Sequence, residues 1–181
     1  MRTVGWGVFE LAAGFRDRLN RLAPRQYSAE RTGNVDRAKR LRSDLVDGNK
    51  AIGAGAGRYV FVLPDAAYES GWYDGYVLKL AISNDTIDGS TGRTQNSAEA
   101  ETWNQTESPL LVPVVAADPE GYWLVMPRGK SVTEYSPELE AWIEEARDQL
   151  PESVWKTDIG KKENIVKLEG TYRLCDYGMS N

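Results

Sequence analysis

Apolar side chains recur at intervals of three and four through the first part of the chain: Val8, Leu11, Ala12, Phe15, Leu19 and Leu22. That spacing predicts a helix within residues 4–22 with one buried face. Pro24 is expected to end it, because an interior proline lacks the N–H and crowds the preceding turn. The period returns from about Asn34 to Val46, with Val35, Ala38, Leu41, Leu45 and Val46 inward, arginines outward, and Asp47-Gly48 as the stop. From residue 50 the pattern changes to short apolar runs separated by turn residues. Gly53-Ala54-Gly55-Ala56-Gly57 leads into a strand from Arg58 to Leu63, and Pro64 to Gly75 connects it to a second strand, Tyr76 to Ile82. Residues 83–95 are polar and glycine-rich, which predicts a loop, and residues 96–106 predict a helix. Two more strands, Leu110 to Ala116 and Tyr122 to Met126, flank an Asp118-Pro119-Glu120-Gly121 turn. Ser136-Pro137 has the cap and first-turn proline of a helix start, with Leu139, Trp142, Ile143, Ala146 and Leu150 on one face until Pro151. A hairpin about Glu169-Gly170, joining Asn164–Leu168 to Thr171–Asp176, completes an α+β pattern.

Composition narrows the chemistry. The 181 residues hold no histidine and one cysteine, Cys175. Ser-His-Asp and Cys-His catalysis, an intrachain disulfide and a cysteine-rich zinc site are thereby excluded. Catalysis would rest on carboxylates, lysine, arginine, hydroxyls or a metal held by oxygen. No run approaches the ~20 apolar residues of a membrane helix and no signal peptide is apparent, so a cytoplasmic protein that does not enter a membrane is expected. Charge is uneven: residues 1–42 carry a net +6, while the whole chain is −5. Such a basic segment suits contact with nucleic acid or another acidic surface, a protein partner or self-association; the plainer reading, which is preferred, is two solvated helices on an acidic body. Residues 1–48 thus read as a basic helical segment and residues 49–181 as the body.

In order and spacing, that body resembles a protein kinase. A glycine-rich turn lies between two strands, and Val77-Leu78-Lys79 stands where kinases carry V-A-I-K. A helix with a carboxylate follows, then two strands, an extended link and a helix. Leu174-Cys175-Asp176-Tyr177-Gly178 then takes the place of D-F-G. Glu99 lies 20 residues after Lys79, and Asp176 lies 12 after Asn164. The resemblance implies a kinase-like N-lobe, an antiparallel sheet with one helix, above a reduced helical lower lobe and hairpin. It also implies ATP and Mg2+ as ligands.

The roles implied follow from what phosphoryl transfer requires, which is positioning and neutralisation of phosphate charge. Gly53, Gly55 and Gly57 would let backbone N–H groups approach phosphates, although their spacing is G-x-G-x-G rather than G-x-G-x-x-G. Lys79, in an apolar strand, needs a partner, since burying an unpaired ammonium is costly. Glu99 is the expected carboxylate because it lies one turn before Trp103, with Glu101 as the fallback on another face. Val125-Met126-Pro127-Arg128-Gly129 resembles an adenine-binding hinge, in which Pro127 supplies a carbonyl and Gly129 an N–H. Asp176 and Asn164 would hold magnesium through oxygen. Asp158 is the candidate catalytic aspartate, but Lys156-Thr157-Asp158 departs from H-R-D and lies six residues before Asn164 rather than five. Only Met179, Ser180 and Asn181 follow D-Y-G in this sequence, so no peptide-binding lobe is expected. The functions in view are a minimal Mg-ATP phosphotransferase, or a pseudokinase acting as sensor, assembly or interaction protein, at home in a virus. A nucleic-acid contact through the basic helices is the third.

Overall fold

The computed structural model describes residues 9–55, 57–83, 91–155 and 159–177. In chain order the strands and helices are β1 (Glu10–Leu11), α1 (Ala13–Arg31), α2 (Val35–Leu45), β2 (Gly53–Ala54), β3 (Arg58–Val62), β4 (Tyr68–Ser70) and β5 (Tyr76–Ala81). There follow α3 (Gly92–Thr106), β6 (Ala116–Ala117), β7 (Trp123–Pro127), β8 (Lys130–Ser131), α4 (Pro137–Gln149), α5 (Glu152–Trp155), β9 (Ile165–Leu168) and β10 (Thr171–Leu174). Among the described residues the fold is mixed α+β with antiparallel sheets. None of their helices is long and apolar enough to cross a membrane.

The central sheet runs β2-β3-β5-β7-β6, and its register sorts the side chains. Val60 lies opposite Lys79, and Lys79 opposite Leu124, while Leu80 lies opposite Trp123. Because strand side chains alternate between faces, Arg58, Val60, Val77, Lys79, Leu124 and Met126 share one face. Phe61, Leu78, Leu80, Trp123 and Val125 share the other. The helical hairpin α1–α2 covers this second face: Trp123 donates its indole N–H to the Asn20 side chain at 3.2 Å, and Tyr27 meets Tyr122 edge-on at 5.6 Å. Helix α3 lies on the first face. One apolar core joins Phe15, Leu19 and Leu45 of the hairpin to the sheet and to Leu139 and Ile143 of α4; each such side chain contributes about 1.5–3 kcal/mol when fully buried.

Local structure departs from the sequence pattern where tertiary contacts prevail. Helix α1 does not end at Pro24 but runs through it. Tyr27 and Ala29 beyond the proline are buried, and that packing outweighs the ~3 kcal/mol cost of an interior proline. Val35, expected inward, is exposed in the first turn of α2. The hairpin covers the back of the sheet, leaving Arg16, Arg21, Arg25, Arg31, Arg37 and Arg40 exposed. Helix α3 starts at Gly92, four residues before the expected start, because the Thr91 side chain accepts the Thr94 N–H as an N-cap. The expected strand over Leu110–Ala116 forms only at Ala116–Ala117. Conversely, Lys130–Ser131 forms a strand that pairs with β9, giving the second sheet the order β10-β9-β8.

Candidate functional site

Between the central sheet and the β8-β9-β10 sheet lies a cleft of about 880 Å³, within the size range of small-molecule sites. Ile52, Gly53, Val60 and Val77 form its upper wall, Met126 to Ser131 run along one side, and Asn164, Val166 and Leu168 line the opposite wall. Lys79, Cys175 and Asp176 lie at its inner end.

Lys79 reaches this position because β5 is central and its face is covered by α3. The buried residues of α3 are Gly92, Asn96 and Glu99, spaced one turn apart on one face. That face is polar, so it needs partners from the sheet. Glu99 is fully buried and accepts Lys79 Nζ on both carboxylate oxygens at 2.8 Å. Lys79 also donates to the Cys175 carbonyl at 2.6 Å and lies 3.8 Å from the Asp176 carboxylate. Tyr177 closes the arrangement, donating its N–H to Glu99 at 3.3 Å and its hydroxyl to the Val112 carbonyl at 2.7 Å.

Arg58 is the member that sequence reasoning missed. Its guanidinium is buried, lies 2.9 Å from Glu99 Oε1, and donates to Asp176 Oδ1 and, at 3.4 Å, to Asn96 Oδ1. Asn96 is anchored in turn by donating to the Gly121 carbonyl at 2.9 Å. Two cations and two carboxylates thus meet here; Arg58, Lys79 and Glu99 are buried and need their partners, while Asp176 is partly open to the cleft. Burial raises the Asp176 pKa, but Arg58 and Lys79 overcome it and hold the carboxyl well below its usual range. Burial disfavours the charged form of Arg58, and Glu99 and Asp176 outweigh that and raise its pKa. The Cys175 thiol is pushed up to about 12, chiefly by burial, so it is a poor nucleophile at neutral pH.

The other expected site residues fall in different places. Pro127 and Gly129 both line the cleft; an added Cβ on Gly129 would lie 2.5 Å from a Val166 methyl, so a glycine lets this strap approach β9. Asn164 lines the cleft, and its backbone carbonyl accepts the Cys175 N–H at 2.7 Å. Of the three glycines, Gly53 lines the cleft, whereas Gly55 and Gly57 do not. Gly57 is buried against α3, where a Cβ would come within 2.6 Å of Gln95 Oε1 and 3.2 Å of Gly92 Cα. Its carbonyl accepts the Ile82 N–H at 2.7 Å, so this glycine serves close packing. Glu101 is exposed on another face of α3 and accepts a hydrogen bond from Gln105. Asp158 lies outside the described residues.

The donor set fits an adenine nucleotide and a divalent metal unequally. The apolar walls and the Met126–Gly129 strap suit a planar base. For magnesium, Asp176 is the carboxylate at the inner end, and one of its oxygens is already held by Arg58. Among the described residues no three acidic, cysteine or histidine side chains gather to hold an ion. The described residues thus offer an ion the Asp176 carboxylate and the cleft-lining Asn164, not a cluster of acidic side chains. Compared with known proteins, the chain matches no family model and no curated relative.

Proposed function

We propose that this chain is a kinase-like protein that binds an adenine nucleotide, ATP, in the cleft. The carrying observation is the buried Lys79–Glu99 pair beside Asp176, at the inner end of a cleft whose flank is the Met126–Gly129 strap. The base would lie between the Val60 and Val77 wall and the strap, with the phosphates toward Lys79. ATP should raise the melting temperature, because a ligand that binds only the folded state stabilises it by RT ln(1 + [L]/Kd), about 2.7 kcal/mol at a hundredfold excess. AMP and GTP should shift it less, and Lys79→Met, still melting cooperatively, should reduce the ATP shift. Absence of a shift with any nucleotide at low or high salt would sink this reading.

Within it, binding without turnover is favoured by a specific contact. Phosphoryl transfer asks for a carboxylate free to organise the phosphates, and Asp176 is paired with Arg58. The protein would then act as a nucleotide-controlled sensor or interaction partner. A thermal shift with ATP unaccompanied by phosphate release or transfer is the expected result; steady ATP hydrolysis abolished by Lys79→Met would refute it.

A further inference from the structure

We propose that the cleft binds its nucleotide without a divalent cation, because Arg58 neutralises Asp176 from inside the protein. The inference rests on the nucleotide reading above and specifies how that site handles phosphate charge. In a site of this kind an anionic ligand meets a carboxylate, and a metal ion bridging the two ordinarily relieves the repulsion. Here the relief is part of the chain. The register that sets Val60 opposite Lys79 and Arg58 opposite Ala81 puts Arg58 on the same sheet face as Lys79, one pleat further along.

The arginine is held there by its backbone and its neighbours. The Gly55 N–H donates to the Arg58 carbonyl at 2.9 Å, and Gly57, packed on Gly92, brings the strand in close to α3. Its guanidinium is about as buried as the Lys79 ammonium, with side-chain exposures of 8% and 7%. It is oriented by Glu99, Asn96 and Asp176 together.

Exposure divides the labour between the two carboxylates. Glu99 is completely buried, whereas the Asp176 side chain is 42% exposed and faces the cleft. Asp176 is thus the carboxylate of this cluster that a phosphate would meet, and its charge is balanced from behind by a cation that does not itself line the cleft. An added metal ion at Asp176 would have to share the carboxylate with a fixed guanidinium, which already holds one of its oxygens. Lys79 lines the cleft and can exchange its bond to the Cys175 carbonyl for a phosphate oxygen.

The test is calorimetric titration of the full chain with ATP, in EDTA and in magnesium. Wild type should give Kd values within about threefold of each other. Arg58→Met should lose affinity about tenfold or more in EDTA and recover it in magnesium, since Asp176 is then unneutralised and open to a metal. Arg58→Lys should keep the wild-type ratio. If Arg58→Met does not fold, the double variant Arg58→Met/Asp176→Asn, lacking the cation and the carboxylate together, should fold and give Kd values in EDTA and in magnesium within about threefold of each other, because neither an unneutralised carboxylate nor a charged metal ligand remains. A merely structural arginine would leave the ratio of the two Kd values unchanged in Arg58→Met; an unchanged ratio there, or a magnesium requirement in the double variant, would overturn the proposal. Binding by wild type that needs magnesium would overturn it while sparing the nucleotide reading; no binding in either buffer would overturn both.

Discussion

In the helical hairpin Arg18 meets Asp47 and Arg42 meets Glu30, with side-chain exposures of 28% and 59%, and 19% and 12%. In the cleft floor Arg58 and Lys79 meet Glu99, at 8%, 7% and 0%. Both regions pair cations with carboxylates, and the energetics differ. Water screens the first of these pairs and would solvate either partner if the other were removed, so exposed pairs of this kind contribute little. Around Arg58, Lys79 and Glu99 burial leaves little room for water to take the partner's place, and removing one charge strands another. Counting charges gave the N-terminal segment its prominence in the sequence; burial shifts the weight to Arg58, Lys79 and Glu99 beneath the cleft.

The largest expected effect is at the shared acceptor. Glu99→Ala leaves Lys79 and Arg58 without their buried partner and should cost about 3–5 kcal/mol in urea denaturation. A loss below about 1 kcal/mol would mean that the floor is hydrated like the hairpin, and the contrast would disappear. Glu30 lies between the two regimes, accepting the Ser83 N–H at 3.0 Å and Arg42 at 3.1 Å. Glu30→Ala should cost about 1–2 kcal/mol, because the Ser83 N–H loses its acceptor.

The pH dependence sharpens the same point. The folded-state pKa of Asp176 is depressed, so its ionisation stabilises the fold at pH values above the ordinary aspartate range. That stabilisation fades as the pH falls through that range toward the lower folded value. Wild type should therefore lose more stability than Asp176→Asn between about pH 5 and pH 2, the window set by an unfolded pKa near 3.9; parallel curves would show that the carboxylate is not held by its cations. The smallest effect belongs to the exposed Arg147–Glu144 pair: Glu144→Ala should change stability by no more than about 0.5 kcal/mol.

How much of this was legible follows from which contacts are local. Lys79 announced itself as a charge in an apolar strand, and Glu99 as a carboxylate one turn from Trp103, so their pairing could be anticipated from local pattern and spacing. Arg58 could not. Its meaning depends on the β3–β5 register, a pairing between distant segments that no local pattern states; with the register known, its parity with Val60 and Lys79 would have identified it. Gly57 misled for a related reason. A glycine marks a close approach of backbone, but the sequence does not say to what, and here it is helix α3. Pro24 was misread and β8 was missed because tertiary packing and a two-residue polar pairing carry no periodic signal.

The contacts that assemble the floor also have long reach along the chain. Arg58 to Asp176 spans 118 residues, Lys79 to Cys175 spans 96, and Glu99 to Tyr177 spans 78. Closing such loops costs chain entropy before any contact rewards it, so the floor should be among the last parts to form as the chain folds. On a ribosome it cannot close until residue 177 has emerged, and until then Arg58, Lys79 and Glu99 lack their C-terminal partners. Substitutions there should accelerate unfolding and leave the refolding rate nearly unchanged. Stopped-flow measurements on Glu99→Gln would show this, and an equally slowed refolding limb would place the floor in the folding nucleus instead.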